Sequence, residues 1–343
     1  MEYFRRLGFE AISEFSRVVG GNSNCGLSAK RASGVSCAHI GYICRIRGFE
    51  KSWGCIGRAL KIQVPPKEAV AFTTANPSRM TASNNDSPFE DLRSSLLRRQ
   101  LWTALAWEDL RQQYHRTLFG VVWISFSFGL FCLVKIFIFG ALSSTRADFF
   151  AAYVVLGYIV WQFISGTITD GCRVFTYSRS WIKGVALPLP IFVFQTISRH
   201  LIIAGFSAIS GILILVLMGY PQSLIALSSL LAIPALLFAA VPVQLLLGTI
   251  CAAARDAGQL VATLMRILFF ATPIVWVPTQ DSRLELIAKY NVFTYFIDIF
   301  RAPITENRFP GTSWLVVLAV TAILWIVAMI VYRAFRYRIP YWV

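Results

Sequence analysis

The chain has 343 residues, of which 56% are hydrophobic and 14% are charged, and its mean hydropathy is +0.61. Soluble domains carry roughly 25% charged residues, so this composition argues against an ordinary soluble enzyme and for a polytopic membrane protein. The net charge of +15 is spread along the chain without a dense basic block or a nucleic-acid-binding motif, which argues against nucleic acid as a partner.

Residues 1–90 mix Gly, Ser, Arg and Cys without a helical or strand period. No apolar run before residue 80 approaches the roughly 20 residues that span a bilayer. Glu10 and Glu14 interrupt the early apolar residues, which is unlike a signal peptide. Two interpretations stay open: a poorly ordered cytoplasmic extension, or a wrongly assigned start, with translation beginning at Met80.

Residues 96–117 predict an amphipathic helix that lies in the membrane surface. Leucines recur at helical spacing, and Trp102 and Trp107 supply anchors at the interface between lipid and water. Arginines, among them Arg111, fill the polar side. The alternative is a cytoplasmic helix packed on soluble protein.

Six apolar spans follow, and they make the predicted all-α transmembrane domain of residues 118–340. The spans cover residues 118–140, 149–170, 188–217, 222–252, 257–277 and 313–332. With the N-terminus inside, the segments facing inward hold eleven basic residues and those facing outward hold five. The positive-inside rule therefore predicts that both termini are cytoplasmic. The adjacent Arg255 and Asp256 then mark a tight cytoplasmic turn between spans four and five.

Motifs for catalysis or nucleotide binding are missing from the sequence. It has no GxxxxGK[ST] phosphate loop, no HExxH and no GxSxG. The seven cysteines include no CxxC pair, so we expect no metal site and no disulfide framework. Asp170 is interpreted as a solvated helix end or as a proton-transfer group. Arg199, beside His200, is interpreted as a bundle-facing or as a substrate-facing residue.

Four blocks of sequence resemble the membrane subunit of type-2 ATP-binding-cassette exporters, in the group that exports polysaccharide and O-antigen. The blocks are "WEDLRQQYHRTLFGVVWISFSF" (107–128), "YVVLGYIVWQFISGTITDGCRVFTYSRSWIKGVALPLPIFVFQTISRHLII" (153–203), "RDAGQLVATLMRILFFATPIVW" (255–276) and "KYNVFTYFIDIFRAPI" (289–304). The chain departs from the family's pattern at Val292 and His200, where the family commonly has Pro and Asn. The departures bear on subgroup and substrate more than on architecture.

The resemblance implies a homodimer of six-span subunits in the bacterial inner membrane, surrounded by membrane lipids and docked on a separate ATPase. That partner would bind ATP and Mg, so this chain would carry no cofactor and would not itself be an enzyme. It also implies short re-entrant helices on the outer side between spans five and six, for which residues 283–301 are the candidates. The alternative for these residues is a loop with an ordinary surface helix.

The loop between spans two and three is where the resemblance places the ATPase, with the surface helix as second contact. The predicted coupling residues are Arg173, Phe175, Tyr177, Arg179, Trp181, Lys183, Glu108, Arg111, Arg255 and Asp256. A polysaccharide path needs aromatic faces that stack on sugar rings. The predicted path residues are Trp123, Phe126, Tyr153, Trp161, Arg199, Phe270 and Trp276, with Pro273 and Trp276 at an outer gate.

The sequence thus predicts the permease subunit of an ATP-driven exporter for a polysaccharide or O-antigen glycan of lipopolysaccharide type, with a lipid-linked glycan as the expected cargo. Two alternatives stay open. One is a type-2 exporter of a drug or another lipid. The other is an intramembrane glycosyl- or acyltransferase, which would need buried catalytic groups that the spans do not supply.

Overall fold

The computed structural model describes residues 87–115, 117, 119–140, 146–184, 187–220, 224–254, 256–278 and 283–343. Within these ranges every regular element is helical. The predictions for the extension, with its alternative start at Met80, and for Arg255 lie outside the described residues.

The helices of the described residues are numbered here in chain order. They are α1 (Pro88–Leu97), α2 (Arg99–Tyr114), α3 (Trp123–Gly140), α4 (Ala147–Gly171), α5 (Val174–Tyr177), α6 (Arg179–Gly184), α7 (Pro190–Leu217), α8 (Ala232–Ala253), α9 (Ala257–Ala271), α10 (Arg283–Tyr290), α11 (Val292–Thr305), α12 (Gly311–Phe335) and α13 (Ile339–Trp342). A 3-10 turn over Gly120–Val122 precedes α3, and another over Leu224–Leu231 precedes α8.

Five helical segments are long and apolar enough to cross a membrane. They are Gly120–Gly140, Ala147–Gly171, Pro190–Leu217, Ile225–Ala253 and Gly311–Phe335, and they match the predicted spans one, two, three, four and six. These helices make the chain an all-helical protein of the multi-pass membrane class.

The predicted fifth span differs from the other five. Its helix, α9, has 15 residues and is therefore about 22 Å long, whereas the hydrocarbon core is about 30 Å thick. The helix stops because Pro273 lacks a backbone donor and pushes Thr272 out of the helical region, to ψ 134°. The six-span count and the inward orientation of both termini stay predictions.

The predicted surface helix of residues 96–117 is two helices in the structure, α1 and α2, which meet at Arg98 with φ −82° and ψ 42°. Ser87 begins α1 with a capping box, in which Ser87 and Glu90 bond each other's backbone N–H groups. Helix α2 buries Ala106 and Leu110 against α7. Its apolar face is therefore packed on the bundle.

One end of the bundle, called the basal end, comprises α1, α2, α5, α6 and α13 with the adjoining ends of α4, α7, α8 and α12. Long-range polar contacts join these elements. Arg336 donates to Asp91 at 2.7 Å, Lys183 donates to the carbonyl of Val343 at 3.1 Å, and α2 is tied to the start of α7 by a side-chain bond described below. The basal end carries the segments for which the sequence predicts a cytoplasmic location.

The opposite end, called the distal end, comprises α10 and α11 with the start of α4 and the end of α7. Tyr220, just after α7, donates to the carbonyl of Thr305 at 3.1 Å. Helix α11 buries Phe296, Ile297 and Ile299 among the core side chains. Helices α10 and α11 occupy the segment predicted to be re-entrant, and that path through the membrane stays a prediction.

Helix α4 is the centre of the bundle, because most of its residues are buried and it contacts α7, α8, α9 and α11. Two glycines let it approach α8 closely. A Cβ on Gly248 would lie 3.2 Å from the carbonyl oxygen of Gly171, and one on Gly171 would lie 3.3 Å from the Cα of Gln244. Small residues at a crossing are the usual way in which membrane helices pack backbone to backbone.

Candidate functional site

A cavity of about 760 Å³ lies between α3, α4, α7 and α9. Its lining joins aromatic, polar and charged side chains in a bundle that is otherwise apolar. The lining comprises Phe131, Tyr158, Trp161, Gln162, Ser165, Gly166, Thr169, Asp170, Arg173, His200, Ile203, Gly258, Ala262, Met265, Arg266, Phe269 and Phe270. Arg266 and Phe270 are exposed, so the cavity opens alongside α9.

Aromatic rings form one wall of this cavity. Tyr158 stacks on Phe131 with ring centroids 4.3 Å apart, and its ring meets Phe269 edge-on at 6.2 Å. Trp161 lies one helical turn further along α4 and contacts Phe269 at 5.9 Å. These rings share a surface because positions 158 and 161 lie on one face of α4.

A charged cluster lies at the basal side of the cavity, where α4 ends. Arg199 and His200 of α7 both contact the same carboxylate oxygen of Asp170, Oδ2, at 2.5 Å and 2.8 Å. A Cβ on Gly166 would lie 2.5 Å from the imidazole of His200, so the glycine makes room for the ring. The Arg199–His200 pair is thus bundle-facing, as one of its two interpretations predicts.

The predicted path residues divide into two groups in the structure. Trp161 and Phe270 line the cavity. Tyr153 does not: it is 3% exposed, and the guanidinium of Arg301 lies 3.7 Å from its ring centroid, so its assignment to the path is wrong. Trp123 and Phe126 are exposed on α3, outside this lining, and their role stays a prediction.

The segment that follows α9 is the predicted outer gate, and polar groups of α10 and α11 hold it. The buried Arg301 donates to the carbonyl of Pro273 at 2.7 Å, and Asn291 donates to the hydroxyl of Thr272 at 2.8 Å. Trp276 donates to the carbonyl of Phe270 at 3.0 Å. The segment therefore has a defined conformation, and its action as a gate stays a prediction.

The loop between the second and third predicted spans forms the short helices α5 and α6 at the basal end. Tyr177 is 77% exposed and Trp181 is 50% exposed, with Arg173, Arg179 and Lys183 also exposed around them. Phe175 is only 1% exposed, and a Cβ on Gly248 of α8 would lie 3.0 Å from its ring. Phe175 is therefore a core residue, and its assignment as a docking contact is wrong.

The other predicted coupling residues lie near the same end. Glu108 and Arg111 are exposed on α2, and the neighbouring Asp109 accepts a hydrogen bond from Gln195 of α7 at 2.6 Å. Asp256 is exposed at the start of α9. The structure thus brings these three residues to a common level with α5 and α6, at the basal end.

Sequence reasoning missed two arginines of interest, Arg266 and Arg301. A signal for Arg266 was present, because it is the one charged residue in the apolar stretch 257–271 and a charge at such a place is costly. A signal for Arg301 was its spacing of three residues from Asp298, which places both on one helical face.

No protein-family model matches the chain. It is similar to the O-antigen export system permease protein RfbA of Myxococcus xanthus, with 21% identity over 231 residues, which are 66% of this chain and 88% of that protein. It is also similar to the O-antigen export system permease protein RfbA of Klebsiella pneumoniae, with 22% identity over 237 residues, 67% of this chain and 90% of that protein. The resemblance to O-antigen permeases is thereby confirmed.

Proposed function

Starting from this similarity, we propose that the chain is the permease subunit of an ATP-driven exporter, which moves a polysaccharide or O-antigen glycan, lipid-linked, across the bacterial inner membrane. The observation that carries the proposal is the cavity beside α4, because it places stacked aromatic rings and polar side chains together inside an apolar helical bundle. A passage that handled only apolar molecules would have no need of this polar lining.

The chemistry of the cavity suits a sugar chain. The faces of Trp161 and Tyr158 offer flat apolar surfaces for the C–H faces of sugar rings, and Gln162, Ser165 and Thr169 offer hydrogen-bond partners for hydroxyl groups. At about 760 Å³ the cavity lies in the range of roughly 300–1,000 Å³ that is usual for ligand sites. Stacking tolerates many sugars, which is what a conduit for a polymer requires.

The energy source in this proposal is a separate ATPase subunit, which binds ATP and Mg. It docks at the basal end, on the surface of α5 and α6. Exposed aromatic residues surrounded by basic side chains are typical of strong contact points, and Tyr177 and Trp181 supply them here. Two copies of this chain form the permease, with the weakly buried helix α9 along the passage.

Co-purification tests the proposal. The full chain, expressed with the ATP-binding protein encoded beside it, should bring that protein down in a fixed ratio. Replacing both Tyr177 and Trp181 by Ala should release most of it, while the chain itself stays folded and in the membrane. The matched control is Tyr290→Ala, which removes an equally exposed tyrosine (82%) at the distal end and should leave the complex intact.

Export is the second readout. Cells lacking this chain should accumulate undecorated glycan in the cytosol and lose it from the surface. Restoring the chain should return surface glycan, and the double variant should not. Normal surface glycan in the deleted cells, or a full complex with the double variant, would contradict the proposed function.

A further inference from the structure

Arg266 is a charge in an apolar helix without a counter-charge. It is the tenth residue of α9 and so lies roughly 14 Å along the axis from the basal start of the helix. Its side chain lines the cavity, and among the described side chains it has no hydrogen-bond or ion-pair partner. A charge at this depth costs about 2.5–3.5 kcal/mol or more in lipid, which a bound anion would offset.

A second copy of the chain offers no spare carboxylate for this arginine. Beyond their first turns, the apolar helices of the described residues carry two acidic residues, Asp170 and Asp298. Asp170 is held by Arg199 and His200, and Asp298 accepts from Ser313 at 3.1 Å and faces Arg301 at 3.5 Å. The anion that meets Arg266 is therefore more simply a ligand than a neighbouring helix.

The basal side of the cavity carries an excess of positive charge. Arg173 and Arg266 line it directly, and Arg199 lies behind Asp170. Asp170 is the one carboxylate in the lining, and its Oδ2 is already shared by two donors. Three guanidinium groups thus face one carboxylate, which leaves room for a ligand of at least one negative charge. Guanidinium groups are well suited to phosphate oxygens, which they bind through paired N–H donors.

The surroundings of Arg266 suit a ligand with an apolar tail. Its neighbours on α9, Leu264, Ile267 and Phe270, are all more than half exposed. A tail can therefore stay on the apolar surface of α9 while a charged head enters the cavity. A small free anion would have no use for this arrangement.

We propose that Arg266 and Arg173 bind the phosphate group of an amphiphilic cargo, whose apolar tail lies along α9 and whose polar portion faces the aromatic wall of the cavity. The inference rests on the proposed function, and it adds the chemical group by which the cargo is held. Arg266 is the main contact because it has no other partner, and Arg173 assists from the end of α4.

The test is binding to the purified full chain in phosphatidylcholine nanodiscs, measured by calorimetry. The probes are farnesyl phosphate and farnesol, which differ only in the phosphate. The wild-type chain should bind farnesyl phosphate more tightly than farnesol. Arg266→Gln should weaken farnesyl phosphate about tenfold or more, the usual effect of losing a charged hydrogen bond, and leave farnesol unchanged. Arg266→Lys should retain binding to within about threefold, because the charge remains.

The control variant is Arg333→Gln, which removes an exposed arginine of α12 outside the cavity lining, and it should bind like the wild type. Equal loss for farnesyl phosphate and farnesol in Arg266→Gln would show an apolar contact only and overturn the proposal. Wild-type affinity in that variant would overturn it as well. If phosphatidylglycerol displaces farnesyl phosphate with equal potency, the site serves membrane phospholipids and the assignment to a cargo is overturned.

Failure here is distinguishable from failure of the proposed function. Loss of the phosphate preference with an intact ATPase complex would remove this site and leave the exporter proposal standing. Phosphate binding that depends on Arg266, in a chain that recruits no ATPase, would do the reverse.

Discussion

The two ends of the bundle hold their charged residues in opposite ways. At the distal end, Arg301 is 3% exposed, and it stacks on Tyr153 while donating to the carbonyl of Pro273. At the basal side of the cavity, Arg266 and Arg173 are exposed and line an open space. The difference teaches that a charge among apolar helices can serve to fix the fold or to remain available for a ligand. The variants below separate the two uses.

The largest expected effect on stability is at Arg301. Arg301→Met should lower the free energy of unfolding by about 3–5 kcal/mol, the usual effect of removing one partner from a buried charge cluster. Asp298 and the Pro273 carbonyl would lose their guanidinium contact. The measurement is denaturant unfolding of the purified chain in detergent. Arg308→Met, which breaks an exposed pair with Glu306, should change stability by less than about 1 kcal/mol, and equal losses would erase the contrast.

Gly166 tests the packing behind the basal cluster. Gly166→Ala should cost about 1–3 kcal/mol, because the new methyl group would lie 2.5 Å from the imidazole of His200 and force it away from Asp170. Gly205→Ala is the matched control on α7, since its Cβ would meet nothing within 4 Å. That control should be neutral or should gain up to about 1 kcal/mol of helix stability. Parallel behaviour of the two variants would mean that His200 is not held as described.

Tyr220 gives a smaller test of the distal end. Tyr220→Phe removes the hydroxyl that donates to the carbonyl of Thr305 and keeps the ring. The expected loss is about 0.5–1.5 kcal/mol in the free energy of unfolding, seen as a lower midpoint in the same denaturation assay. An unchanged midpoint would show that the contact between the end of α7 and α11 contributes nothing.

The smallest expected effect on stability is at Arg266. Arg266→Gln should leave the free energy of unfolding unchanged or slightly higher, because it removes an unpaired charge from an apolar helix. Export of glycan in cells should nevertheless fall. A loss of stability as large as that of Arg301→Met would place Arg266 in the same structural class and remove the contrast between the two ends.

Much of the fold could be predicted from the sequence, because long apolar runs leave little choice in a bilayer. Five of the six predicted spans coincide with long helices. The early end of α9 was also readable in principle, since Thr272 precedes a proline. The break at Arg98 was not readable, because no glycine or proline marks it and packing of α2 on α7 determines it.

The site was less predictable than the helices. The pairing of Asp170 with Arg199 and His200 joins positions 29 and 30 residues apart, and a lone sequence holds no record of that contact. Tyr153 and Trp161 illustrate the same limit. Both are aromatic residues of α4, but one is covered by Arg301 and the other lines the cavity, and only the neighbouring helices decide which.

Phe175 gives helix α5 a mechanical property. Its ring sits against Gly248 of α8, where Val174 also packs, with Cβ contacts at 2.7 Å and 3.0 Å, while Tyr177 projects outward two residues later. Close-packed interiors are stiff and pass displacement from one group to the next. A force applied to the outer side of α5 would therefore reach a membrane-length helix directly, with no slack loop to absorb the stroke.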